Sequence, residues 1–235
     1  MQHSPYELAV PALGPVCGVF DKGFEKEIVL LCFYANFDEE GNSNAIRCQT
    51  FDGKYSEELE IESKYDHSDS SRKLGNYNGW ALTVGGKGGP HTEKLTTNDQ
   101  VGLKWASNKD FPAEQLRFTD LISTKDRVIV IGGAVTHKNE EGEEYKVYDQ
   151  VYEYYEREWN FVGTLNAGRQ GHHAIQSSEH EIMIIGGYDG YEIDESYSTE
   201  IWNIQYKNST QRKPLLSLYI TPLIYKVKGD FCSAH

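Results

Sequence analysis

A seven-residue signature occurs three times in this chain, at residues 80–86, 127–133 and 181–187. A polar or aromatic residue opens it, four mostly apolar residues follow, and a glycine pair closes it. The pairs begin at Gly85, Gly132 and Gly186, and residues 27–33 fit the same frame with Cys32 and Phe33 in place of glycines, giving steps of 53, 47 and 54 residues. A period of about 50 residues built from strand-length apolar runs is what radially repeated sheets produce, because one four-stranded sheet cannot cover both of its faces without neighbours. The chain therefore reads as all-β, built from four-stranded antiparallel units.

The third unit shows the order most clearly. Strands are expected near residues 117–124, 127–133, 147–155 and 159–164, with an acidic loop carrying Glu140, Glu141, Glu143 and Glu144 after the glycine pair. The run Val128-Ile129-Val130-Ile131 is continuously apolar and β-branched, as a strand covered on both faces requires. Glycines at Gly132 and Gly133 fit a place where φ is positive or where backbones approach closely. The other units follow suit. The first has strands near 16–20, 27–34, 44–51 and 54–61, and the second near 75–78, 80–86, 91–97 and 101–106. The fourth has strands near 171–177, 181–187 and 199–206, with its fourth strand poorly marked in the polar stretch 207–213. Residues 218–226 read as the opening strand of a fifth unit. The unit boundaries are 14–66, in degenerate form, then 67–116, 117–165, 166–217 and an incomplete 218–235. Trp105 and Trp159 sit on outer strands, where a large aromatic fills the gap between splayed sheets.

Composition narrows the partners. The net charge is −13 over 235 residues, a field that repels phosphate backbones and anionic lipid, so nucleic acid is not an expected partner. The longest apolar run has strand length, so no membrane insertion is expected. The first residues lack the basic start and apolar stretch of a signal peptide, and the compartment stays open between cytoplasmic and secreted.

Four cysteines show no Cys-x-x-Cys spacing for zinc. A hairpin folded about residues 38–42 places Cys32 opposite Cys48, as a disulfide or as a pair of buried thiols. Cys17 and Cys232 lie near opposite ends, where closure of a ring would bring them together. Asn208-Ser209-Thr210 is a sequon in a polar turn, which suits a secreted chain.

Arg169-x-x-His172-x-Ala174, then Glu181-Ile-Met-Ile-Ile-Gly186-Gly187-Tyr188-Asp189-Gly190, with Tyr152-x6-Trp159 upstream, closely resembles the kelch repeat. The resemblance is strongest over 117–206 and weaker toward the N-terminus. It implies a kelch-type β-propeller, usually of six or seven blades, of which about four are visible here. It also implies a non-enzymatic module that binds another protein through loops between strands and between blades. Carried onto this chain, the binding candidates are Arg169, His172, Tyr188, Asp189, Tyr191, His91 and His137. Arg169 and His172 also have a purely structural reading, as supports of the blade junction, and Tyr188-Asp189-Gly190 has one as turn chemistry.

Catalysis has less support. His172 and His173 are adjacent, so on a strand they face opposite sides and cannot chelate one metal together. No Gly-x-Ser-x-Gly box and no calcium-loop ligand order occur. No cofactor and no metal are expected. The alternatives are a degenerate copper radical oxidase-like propeller, similar to galactose oxidase, and an extracellular structural or adhesion propeller.

Overall fold

The computed structural model describes residues 16–34, 46–71, 73–98, 102–124, 126–139, 142–189 and 198–212. Its elements are strands, and four sheets of four antiparallel strands succeed one another in chain order. The first holds β1 (Val16–Phe20), β2 (Ile28–Tyr34), β3 (Ile46–Phe51) and β4 (Ser56–Glu62). The second holds β5 (Gly75–Tyr77), β6 (Trp80–Val84), β7 (Thr92–Asn98) and β8 (Gly102–Ser107). A short strand, β9 (Leu116–Arg117), precedes the third sheet. That sheet holds β10 (Asp120–Ser123) and β11 (Val128–Ile131), then β14 (Gln150–Tyr155) and β15 (Glu158–Thr164), with β12 (Ala134–Asn139) and β13 (Gly142–Val147) between them in sequence. The fourth holds β16 (His173–Ser178), β17 (Glu181–Ile185), β18 (Thr199–Asn203) and β19 (Asn208–Arg212).

Each copy of the signature forms the second strand of its sheet, and the apolar side chains explain why. Val128, Val130 and Tyr154 face the second sheet, packing with Tyr77, Leu82 and Val84. Ile129 and Ile131 face the fourth, packing with Ile182, Ile184 and Trp202. A strand whose alternate residues enter two different cores needs apolar residues throughout. Parallel bridges join Cys17 to Lys73 and Ser71 to Thr119, so the leading edges of the first three sheets meet in succession. Trp159 fills the gap on the outside as expected: it lies 5.1 Å from Phe111 and 5.0 Å from Tyr154, and its Nε1 donates to Thr92 Oγ1 and Lys109 O. Tyr152 packs edge-on against Phe111 and Phe161. Trp105 is buried in the core between the first two sheets.

Both physical roles expected of the glycine pairs hold. Gly85, Gly86, Gly132, Gly133, Gly186 and Gly187 all have positive φ, from 54° to 101°. A Cβ on Gly85 would lie 2.4 Å from Leu116 O, and one on Gly132 would lie 2.6 Å from Arg169 O. The second glycine of a pair also stitches its strand to the loop leading into the next sheet, through Gly86 N–H to Leu116 O and Gly133 N–H to Arg169 O.

Three expectations are corrected. The stretch after Gly133 is not an acidic loop but a β-hairpin, β12 with β13, whose root is anchored by buried Ala134 and Val135 and by pairing with β9. Arg117, expected to open the first strand of the third sheet, pairs with β12 instead, and that strand starts at Asp120. The fourth sheet has a well-formed outer strand, β19, in the stretch that sequence leaves unmarked, because an outer edge strand with solvent on one side needs few apolar residues. The expected strand at 218–226 lies outside the described residues.

Cys32 and Cys48 face each other in the β2–β3 register and form a disulfide, with both residues fully buried. The thiol alternative is thereby removed. Cys17 is disulfide-bonded too; Cys232, its expected counterpart, lies outside the described residues. The Cys32–Cys48 link closes a loop of 16 residues, for which restriction of the unfolded chain contributes about 3 kcal/mol. The Cys32→Ala/Cys48→Ala chain should unfold at a correspondingly lower denaturant midpoint, and an unchanged midpoint would show that the link adds nothing.

Candidate functional site

The glycine pairs, the starts of β7 and β18, and the loops leading into the third and fourth sheets gather at one end of the strands. There the polar residues separate into a buried set and an exposed set.

Arg169 heads the buried set, at 4% exposure. Its Nη1 donates to Gly186 O and Ser198 Oγ, both at 2.9 Å, and its Nη2 donates to Glu200 Oε1. Glu200, on β18, also accepts from Asn166 N (2.8 Å), Asn166 Nδ2 (3.0 Å) and Ser209 Oγ (2.5 Å) through Oε2. Burial alone would raise the Glu200 carboxyl. The hydrogen bonds from Ser209 and Asn166, with the charge of Arg169, outweigh it and hold the pKa below its ordinary value.

The second sheet carries a counterpart. His67 Nδ1 lies 2.7 Å from Gly85 O, and its Nε2 lies 3.0 Å from Glu93 Oε2. Glu93 accepts as well from the backbone N–H groups of Lys64 and Tyr65. In both sheets a buried basic side chain from the leading loop bonds the carbonyl of the first glycine and a glutamate at the second position of the third strand. Sequence reasoning missed His67, Glu93 and Glu200. The signal was the Thr-Glu pair that opens both strands, Thr92-Glu93 and Thr199-Glu200.

His172 is buried between two glycine pairs: a Cβ on Gly187 would lie 2.8 Å from His172 Cβ, and one on Gly132 would lie 3.1 Å from its Cε1. Among the described residues neither ring nitrogen has a hydrogen-bond partner. Burial pushes its pKa down to about 4, against an opposing pull from Asp120, so the ring is neutral. Nearby, Asp120 Oδ2 accepts from Ala174 N–H (2.6 Å) and from Lys73 Nζ (2.9 Å), and Lys73 Nζ also donates to Ala174 O (2.5 Å). This group ties the leading edges of the second, third and fourth sheets together. Arg169 and His172, carried among the binding candidates with a structural reading beside them, both have buried side chains, and Arg169 bonds the Gly186 carbonyl as that second reading has it.

The exposed set is aromatic and charged. Tyr188 is 44% exposed, while its backbone is clamped by reciprocal bonds with Gln170, Gln170 N–H to Tyr188 O and Tyr188 N–H to Gln170 O, both 3.1 Å. Asp189 follows it, partly exposed. His91 stacks on Tyr65 with ring centroids 3.6 Å apart, its Nδ1 lies 3.1 Å from Asp110 Oδ1, and Lys64 Nζ lies 4.8 Å from the Tyr65 ring centroid. Lys87 is exposed as well, its Nζ 3.6 Å from Asp69 Oδ2. His137 lies on β12 opposite Glu144; its side chain, and all of Tyr191, lie outside the described residues. Among the described residues, no three His, Cys, Asp or Glu side chains converge as a metal site, and no helix is long and apolar enough to cross a membrane.

No family model matches the chain, and no curated protein matches it by sequence. Among solved structures it is similar to YjhT, with a TM-score of 0.52 and 16% identity over 64% of this chain and 52% of that one. The fold is propeller-like. The chain spans about half the length of YjhT, and at this identity the likeness concerns the arrangement of four-stranded antiparallel sheets alone.

Proposed function

We propose that this chain is a kelch-type β-propeller, four of whose blades are the four-stranded sheets, and that it is a non-enzymatic module binding a protein through the loops at the glycine-pair end. The observation that carries this reading is Tyr188. A large aromatic ring stands in solvent while two backbone hydrogen bonds hold the segment beneath it, so little ordering cost remains at binding. The His91–Tyr65 stack, flanked by Lys64 and Asp110, extends the same kind of surface, with Asp189 beside Tyr188. The buried Arg169–Glu200 and His67–Glu93 clamps keep both loop groups in place. The oxidase alternative requires a cysteine joined to a tyrosine, and Cys17, Cys32 and Cys48 are all consumed by disulfides.

A random-peptide display selection on the purified chain tests the proposal, because it samples binding sequences broadly and needs no named partner. Peptides enriched on the wild type should bind the Tyr188→Ala/His91→Ala chain at least about tenfold more weakly, a loss of about 1.4 kcal/mol. The stability of that variant should stay within about 0.5 kcal/mol per substitution, as at other surface positions. Enriched peptides that bind the variant as well as the wild type would overturn the assignment of this surface.

A further inference from the structure

We infer that Asn208 is an N-glycosylation site and that the chain matures in an oxidising secretory compartment. The inference does not depend on the protein-binding proposal. Two independent observations carry it.

The first is redox state. Cys32 and Cys48 are joined inside the core, and Cys17 is disulfide-bonded as well. Buried structural disulfides belong to compartments where thiols are not kept reduced. Those compartments are also where N-linked sugars are attached.

The second is the geometry of the sequon. Asn208 opens β19, the outer strand of its sheet, immediately after the turn that follows β18. Its side chain is exposed and makes no hydrogen bond among the described residues. Thr210 is exposed too, whereas Ser209 between them points inward, its hydroxyl bonding Glu200 and Asn166. Alternation along the strand thus puts the two side chains that a glycosyltransferase reads, the amide and the hydroxyl two residues on, together on the opposite face from the packed serine. A sugar at Asn208 displaces nothing.

The register also places the sugar away from the binding surface. Asn208 pairs with Asn203, which pairs with Glu181, at the end of the sheet opposite Gly186 and Tyr188. A glycan there leaves the proposed binding loops clear. It also shields the start of an exposed edge strand, which otherwise offers unpaired backbone groups to another chain.

In chemical terms, Asn208 Nδ2 forms a bond to the anomeric carbon of an oligosaccharide as that carbon's bond to a lipid pyrophosphate breaks. The pyrophosphate leaves with the bonding electron pair, and an amide proton passes to a base of the transferring enzyme. The co-reactant is a lipid-linked oligosaccharyl pyrophosphate, and no oxidation or reduction takes place.

The test uses the full chain expressed in animal cells behind a cleavable secretory leader. Both cell-associated and secreted protein are read, since the sugar is attached on entry. A glycoamidase, which hydrolyses the sugar-bearing side-chain amide and releases the glycan as a glycosylamine, should increase the electrophoretic mobility of the wild type and convert Asn208 to Asp in the peptide map. Asn208→Gln and Thr210→Ala should each abolish the mobility shift completely. Ser209→Ala, which disturbs the packing around Glu200 but preserves the sequon, should retain it. A chain carrying the Cys32–Cys48 link with Asn208 unmodified would overturn the inference, as would a mobility shift that survives Asn208→Gln.

Discussion

Replacing Arg169 with alanine is expected to lower the unfolding free energy by about 3–5 kcal/mol, the loss typical when one member of a buried ion pair is removed and the other stays behind. The physical reason is Glu200, almost wholly buried and ionised, which would keep only Asn166 and Ser209 as partners. Gly186 O and Ser198 Oγ would lose their shared donor in the same step. Chemical denaturation at neutral pH measures the effect directly. The Arg169→Met/Glu200→Leu chain, in which neither charge remains, should recover most of the loss, because the penalty belongs to an uncompensated charge and not to the missing contact area. An Arg169→Ala chain as stable as the wild type, yet unable to bind its selected peptides, would return Arg169 to the binding surface.

Lowering the pH from 7 to 4 should cost the folded chain roughly 3 kcal/mol through His172 alone. Its folded pKa is about 4 against an ordinary value of 6.5. On acidification the unfolded chain therefore takes up the proton first. The stabilising contribution is fully present above pH 6.5, declines as the pH falls, and is exhausted near pH 4. About 2 kcal/mol of the decline should be visible by pH 5. Glu200 follows the carboxylate pattern: its folded pKa is depressed, so its contribution persists above its ordinary value of 4.5 and is lost only as pH falls through the lower folded value. The interval from pH 7 to 5 consequently separates His172 from Glu200. A His172→Leu chain should show a flatter stability profile over that interval, and it should lose little at pH 7, because neither ring nitrogen gives up a hydrogen bond to any described residue. A slope unchanged by the substitution would assign the acid sensitivity to another group.

These two residues also show where the sequence is legible and where it is not. The second strands and their glycine pairs can be read because an apolar run with alternate faces in two cores leaves little freedom of composition, as in Val128–Ile131. The opposition of Cys32 and Cys48 follows from hairpin symmetry. Arg169 and His172 admit a binding and a structural reading alike, because a charged or polar side chain in a loop is usually solvated. Recognising their burial requires Glu200 and the flanking glycines, which are distant in sequence or carry no side chain. The acidic stretch conceals the β12–β13 hairpin for a related reason: its strand character comes from pairing with β9 and from the apolar root at Ala134 and Val135, not from the charged residues beyond. Strand β19 escapes a sequence reading because Asn208–Arg212 is polar, and an outer edge does not demand otherwise.

The central claim is that the glycine-pair end of the sheets is a protein-binding surface resting on buried clamps. Hydrogen exchange of the chain, with and without a display-selected peptide, tests it most directly. The account predicts slowed exchange at residues 87–91 and 188–189 in the complex and none at residues 203–208, at the opposite end. Protection confined to 203–208, with the glycine-pair loops unaffected, would contradict it.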